Sequence, residues 1–225
     1  KYSGKLIKAI GNNAFAGNTN LTSISLPASV ESINDGAFKG CTNLKEITLP
    51  ASVKSIGESA FEGCSSLTKI TMGDAVVSIG EGAFYGCTEL TSLTIPSAVT
   101  VIPSNAFTDC TSLATITLGN AVTEIGKKAF ANCVSLARFT IPASVSVLAE
   151  GAFSGCTALA QIELPSSVTA VPASCFENCS SLASINFDAD LTAIGKSAFK
   201  GCSSLKNISL PSTVSVIEES VFEEC

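Results

Sequence analysis

Cysteine is the residue whose type and spacing most clearly suggest chemistry in this chain. Nine of the ten cysteines recur at a fixed interval of 23 residues, at Cys41, Cys64, Cys87, Cys110, Cys133, Cys156, Cys179, Cys202 and Cys225. Such a series could form a disulfide framework, a metal-binding array, a redox-active group or a column of packing residues. The tenth, Cys175, lies four residues before Cys179.

The surroundings of these cysteines favour packing. Equivalent positions of successive repeats would stack with parallel Cβ directions, which is a poor geometry for a disulfide bond. The sequence has no histidine and no C-x-x-C motif, which argues against a zinc site and against a histidine base for a catalytic thiol. A bond or a metal between Cys175 and Cys179 is conceivable, but we favour the replacement of one small buried residue by another. Whether these two cysteines are bonded stays open.

The other polar residues do not indicate an enzyme. No G-x-S-x-G motif or phosphate-binding loop is found, since the glycines follow the 23-residue spacing instead. Asp188 and Asp190 could contact calcium, but two carboxylates without a glycine-rich loop of oxygen donors are weak support, and a solvated turn is favoured. We therefore expect no enzymatic activity and no cofactor.

Composition and charge exclude several further classes. Hydrophobic residues make up 46% of the chain and charged residues 14%, which predicts a folded protein. No apolar run approaches the roughly 18 residues of a membrane span, so we expect no membrane insertion. The net charge is −6, and no basic stripe is present that could neutralise nucleic-acid phosphates or an anionic membrane surface.

Apolar residues repeat with the same period as the cysteines. The aligned unit is L-x-x-I-x-L-P-x-x-V-x-x-I-G-x-x-A-F-x-G-C-x-x. Ile47 and Leu49 alternate with polar neighbours, which predicts a short strand with one buried face, and Pro50 ends it. The stretch "ESAFEGC" favours one short helical turn, which Gly63 ends.

The period predicts the fold, because one unit of 23 residues cannot bury its own apolar face whereas stacked units can. We predict an α/β solenoid of about ten 23-residue turns, with a parallel β-sheet on one face and short strands and helical turns elsewhere. Residues 1–225 would form one domain. Its structural ladder would include Phe38, Cys41, Phe61, Cys64, Phe84, Cys87, Phe107, Cys110, Phe130 and Cys133.

These motifs carry a family resemblance. L-x-x-I-x-L resembles the strand signature of leucine-rich repeats, and "LPASVKSIGESAFEGC" closely resembles the BspA-like (bacterial surface protein A-like) subclass. The ladder position that holds Asn or Cys in ordinary leucine-rich repeats is here occupied by Ser29, Ser52, Ala75, Ala98, Ala121, Ser144, Ser167, Asp190 and Thr213. An asparagine ladder is therefore excluded. Because the chain begins in mid-pattern without Met, we expect it to be a fragment of a longer protein.

The outward positions of the predicted strands are the candidate binding face. The first row of these positions varies in charge and size, whereas the second is mostly threonine, which also suits a solvent-facing strand without any ligand. The candidate residues are Glu46, Thr48, Lys69, Thr71, Ser92, Thr94, Thr115, Thr117, Arg138, Thr140, Gln161 and Glu163. The regular threonine row also suggests ice binding, a weaker hypothesis because the row is interrupted at both ends.

The resemblance implies the most specific hypothesis about function. BspA-like proteins include cell-surface adhesins that meet host proteins, so we expect a non-enzymatic module that binds a protein or glycan on a host or neighbouring cell surface. The alternative is a structural spacer without a ligand. The resemblance favours a cell-surface or secreted location, while the reduced thiols are also compatible with the cytosol.

Overall fold

The computed structural model describes residues 6–187 and 190–225, and in these ranges successive 23-residue repeats stack as turns of one parallel β-solenoid. The described strands are β1 (Ala9–Ile10), β2 (Ser32–Ile33), β3 (Glu46–Thr48), β4 (Ser55–Ile56), β5 (Lys69–Thr71), β6 (Ser78–Ile79), β7 (Ser92–Thr94), β8 (Val101–Ile102), β9 (Thr115–Thr117), β10 (Glu124–Ile125), β11 (Val147–Leu148), β12 (Gln161–Glu163), β13 (Ala170–Val171), β14 (Ser184–Asn186), β15 (Ala193–Ile194) and β16 (Val216–Ile217). The predicted solenoid with parallel strands is confirmed.

The three-residue strands lie on one side of the solenoid and pair two by two. The pairs are β3 with β5, β7 with β9, and β12 with β14, and each residue is opposite the residue 23 positions later. The central residue of each strand points inward and its two neighbours are exposed, as the alternation of apolar and polar residues requires.

The two-residue strands form a second set of parallel ladders. They group as β1-β2-β4-β6, β8-β10-β11 and β13-β15-β16. In β2 and β4 the second residue is an isoleucine, Ile33 or Ile56, which is buried in the core. Most full repeats therefore contribute two short strands separated by a corner, whereas residues 23–25, 138–140 and 207–209 form no strand.

The predicted helical turns are wrong. The described chain has no helix, and hence none that could cross a membrane. The segment before each cysteine consists of successive tight turns between two residues of positive φ, such as Gly36 and Gly40 or Lys128 and Asn132. A residue in the left-handed conformation ends a right-handed helix. The backbone between them bonds the next repeat instead, as when the Phe38 N–H donates to the Ala60 carbonyl at 2.8 Å.

The core consists of columns of identical residues. Ten phenylalanine rings stack from Phe15 to Phe222, with neighbouring centroids 5.1–5.6 Å apart and planes within 12° of parallel. All ten residues of the proposed structural ladder are buried: Phe38, Cys41, Phe61, Cys64, Phe84, Cys87, Phe107, Cys110, Phe130 and Cys133. Each cysteine of the 23-residue series donates its thiol hydrogen to the phenylalanine carbonyl of the preceding repeat, as Cys64 does to Phe38 at 3.1 Å. The thiols thus hydrogen-bond successive repeats as well as filling space.

Candidate binding face

The strand face consists of the exposed first and third residues of the three-residue strands, together with the equivalent positions Arg138 and Thr140. All twelve candidate residues are exposed on it: Glu46, Thr48, Lys69, Thr71, Ser92, Thr94, Thr115, Thr117, Arg138, Thr140, Gln161 and Glu163. The parallel register places Glu46 beside Lys69 and Thr48 beside Thr71. Arg138 lies outside any strand and is joined to Gln161 by a single bridge.

Grooves cross the strand face where strand pairing stops. In the paired repeats, the N–H of Leu49 or Ile95 donates to a carbonyl of the next repeat, at 2.9 and 2.8 Å. Leu26, Met72 and Ile141 occupy the same position, and within the described ranges they form no such bond. A groove lies at each of these places, with volumes of about 580, 280 and 430 Å³ respectively.

One strand-centre residue departs from the repeat. The inward position is aliphatic in the other repeats, but it is Phe139 between Arg138 and Thr140. Its ring packs at an angle against two rings of the phenylalanine column, with centroids 5.0 Å from Phe130 and 4.8 Å from Phe153 and interplanar angles of 59° and 67°. The strand is absent at 138–140, but it is also absent at 23–25 and 207–209, where the central residue is isoleucine, so the aromatic ring alone does not account for its loss.

Ion pairs are concentrated away from the strand face. Within the described part of the chain, the ion pairs join successive repeats at Lys8–Glu31, Lys54–Glu31, Lys39–Glu62, Lys127–Glu150, Lys196–Glu219 and Lys200–Glu223. Hydrogen bonds from Lys8 and Lys54 lower the pKa of Glu31. Because these pairs are exposed, each contributes little to stability.

Within the described residues, the charges of the strand face form no close ion pairs, although the register places Glu46 beside Lys69. Glu46, Lys69, Arg138 and Glu163 are exposed, and none of them belongs to an ion pair in the described ranges. A partner that supplies opposite charges here would not first have to break an existing ion pair. The strand face is therefore suited electrostatically to recognition.

The cysteines are poorly suited to chemistry. Burial raises the pKa of Cys64, Cys110, Cys156 and Cys202 to about 12, so these thiols stay protonated at neutral pH. Burial also raises the pKa of Cys175, and both Cys175 and Cys179 are free thiols.

No group of three or more His, Cys, Asp or Glu side chains in the described ranges could hold a metal ion. The calcium hypothesis depends on Asp188, which lies outside those residues.

A column of hydroxyl groups is the feature that sequence reasoning missed. Ser29, Ser52, Ser144 and Ser167 donate side-chain hydrogen bonds to backbone carbonyls of the preceding repeat, for example Ser29 to Ile7 at 2.7 Å. The hydroxyls thus perform part of the bonding that an asparagine ladder performs elsewhere. The sequence signal for these bonds is the serine that recurs at the ladder position.

Comparison with known proteins finds a matching family and similar solved structures. A protein family described as the BspA type leucine rich repeat region matches residues 8–137 and 123–225, in six copies. A leucine rich cell surface protein from Faecalibacterium prausnitzii A2-165 is 29% identical, with a TM-score of 0.66, over 99% of this chain and 76% of that one. The leucine rich repeat protein of T. pallidum is also 29% identical, with a TM-score of 0.57, over 83% of this chain and 78% of that one.

A further leucine-rich repeat protein, from Bacteroides ovatus ATCC 8483, shares the fold at 22% identity, with a TM-score of 0.62, over 97% of this chain and 80% of its own. No curated protein matches the sequence. The family match spans residues 8–225, and its repeat is the unit that stacks in the solenoid, so the chain belongs to the BspA type leucine-rich repeat family.

Proposed function

We propose that this chain is a non-enzymatic binding module of a cell-surface protein, and that it recognises a protein or a glycan through its strand face. The observation that carries the proposal is the set of exposed, unpaired charges on that face, interspersed with threonine hydroxyls and open grooves. Repeat solenoids offer extended surfaces of this kind for recognition.

The similar protein from Faecalibacterium prausnitzii supports the proposed location, because it is described as a cell surface protein. A module displayed there would meet proteins and glycans of a host or of a neighbouring cell. The buried cysteines are compatible with that setting, since oxidants and metals have little access to them.

The experiment that tests the proposal compares three proteins against host-surface extracts and a glycan array. The first is the parent chain, and the second carries Thr71→Lys, Thr94→Lys and Thr117→Lys on the strand face. The matched control carries three lysines at exposed threonines of another column, Thr100, Thr123 and Thr169. Circular dichroism checks that all three proteins keep the fold.

A partner that binds the parent and the control, but not the strand-face variant, would support the proposal. A partner that all three proteins bind equally would exclude the part of the strand face around Thr71, Thr94 and Thr117 as the recognition surface.

The second candidate function is a structural spacer. It is favoured by the continuity of the phenylalanine stack, which joins each described repeat to the next from Phe15 to Phe222. A spacer predicts that neither the extracts nor the array contains a partner for any of the three proteins. It also predicts that deletion of whole repeats changes only the reach of the protein that carries it.

A further inference from the structure

Arg138 is the only arginine of the 225-residue sequence, and it lies on the strand face. A guanidinium group binds a carboxylate through two parallel hydrogen bonds, which a lysine ammonium group cannot do. Arg138 is exposed and belongs to no ion pair in the described ranges, so its donors are available to a partner. The other cation of the candidate face, Lys69, provides a point charge only.

The surface around Arg138 is an open groove rather than a flat sheet. Arg138, Thr140, Gln161 and Glu163 line the groove of about 430 Å³ that follows the interruption of strand pairing at Phe139. Ile141 also lines it, and the N–H of this residue has no backbone acceptor. The groove therefore combines an arginine, a hydroxyl, an amide, a carboxylate and an unpaired backbone donor.

The two charges of this groove lie on a diagonal. Arg138 is opposite Gln161, so Glu163 is two residues further along the neighbouring repeat. Diagonal neighbours of this kind are roughly 8 Å apart in a sheet. An extended peptide places residues i and i+2 on one face, roughly 7 Å apart, so two such residues match this spacing. A ligand with negative charge only would meet Glu163 unfavourably.

We propose that the Arg138 groove binds an extended segment of a partner protein, in which an acidic residue opposite Arg138 and a basic residue opposite Glu163 are separated by one residue. The inference rests on the proposed function of the strand face and names the chemistry of its partner. A polypeptide is favoured over an anionic glycan because the groove has one charge of each sign.

The test uses an array of decapeptides of serine, threonine and valine with acetylated and amidated ends. Each peptide contains one glutamate and one lysine, and the number of residues between these two varies across the array. Sulfated dextran serves as the polyanion probe. The proteins are the parent, Arg138→Gln, Arg138→Glu, the double variant Arg138→Glu with Glu163→Arg, and Lys69→Gln as the matched control. Because these side chains are exposed, the fold should survive, and circular dichroism verifies this.

We expect the parent to prefer peptides whose charges are two residues apart over peptides whose charges are adjacent. Arg138→Gln should weaken that binding about tenfold or more, and Arg138→Glu should abolish it. The double variant should bind the peptide in which the glutamate and the lysine have exchanged places. Lys69→Gln should bind as the parent does.

Three results would overturn the inference: no peptide bound, equal binding by the parent and Arg138→Gln, or stronger retention of sulfated dextran than of any peptide. Loss of binding in Lys69→Gln alone would overturn it as well, yet would leave the strand face as the recognition surface. The extract and glycan-array comparison tests that broader function separately.

Discussion

Replacement of Phe107 by alanine tests whether the column of aromatic rings holds neighbouring repeats together. Phe107 is fully buried, and its ring centroid lies 5.3 Å from that of Phe84 and 5.4 Å from that of Phe130. Removal of a buried phenylalanine side chain costs about 3–5 kcal/mol of the free energy of unfolding. Since Phe107 has a ring on either side, the loss falls on two repeat interfaces in the middle of the solenoid.

Phe15→Ala is the matched control, because Phe15 is only partly buried and stacks on one ring, that of Phe38 at 5.1 Å. With one interface instead of two, we expect about half the loss, or about 2 kcal/mol. Urea unfolding followed by circular dichroism measures both variants. In a chain stabilised by nearest-neighbour contacts, Phe107→Ala should also broaden the transition, since it uncouples the two halves. Equal losses in both variants, or a sharp transition with a loss below about 1 kcal/mol at Phe107, would refute this reasoning.

Four further predictions concern the thiols, the hydroxyl column and the groove. Cys225 is the exposed thiol and the other nine are buried, so a bulky thiol reagent should modify one cysteine in the native chain and ten in urea; rapid modification of several native thiols would contradict this burial. The pKa of four of the buried thiols is raised from 9.0 to about 12, so between pH 9 and 12 they ionise mainly in the unfolded chain. The free energy of unfolding should therefore fall between pH 9 and 12, by up to about 1.4 kcal/mol per pH unit for each such thiol, and a flat profile would contradict the assignment. Ser52→Ala removes a hydrogen bond to the Ala28 carbonyl and should lower the free energy of unfolding in urea by about 1 kcal/mol. An unchanged free energy would contradict a stabilising role for this hydroxyl. Phe139→Ile should leave the hydrogen exchange of the Ile141 amide unchanged, because the Met72 amide also lacks a backbone acceptor although its repeat has the aliphatic Ile70; increased protection would instead attribute the groove to Phe139.

The repeat made most of the solenoid predictable, because a fixed period places identical side chains above one another. Phe38 and Cys41 could be assigned to the core from sequence, since only stacked neighbours can bury a phenylalanine from each 23-residue unit. The turns were not predictable in the same way. The positive-φ positions hold glycine in some repeats but Lys128 and Asp109 in others, at φ of 53° and 60°. A lysine in a helix-favouring context gives no local sign of this conformation, which the inter-repeat hydrogen bonds impose.

The strand face was also predictable from the sequence only in the features that repeat. Alternation alone predicts the outward residues of the strands, and it correctly places Glu46 and Thr48 among the exposed residues. The grooves did not follow, because pairing and its loss occur in repeats with nearly the same motif, as at Leu49 and Met72. The residues that repeat define the solenoid. A partner can distinguish one repeat from the next only by the residues that depart from the repeat. The largest departure on the strand face joins Phe139 to the only arginine, and for that reason recognition should be sought first at this place in the solenoid.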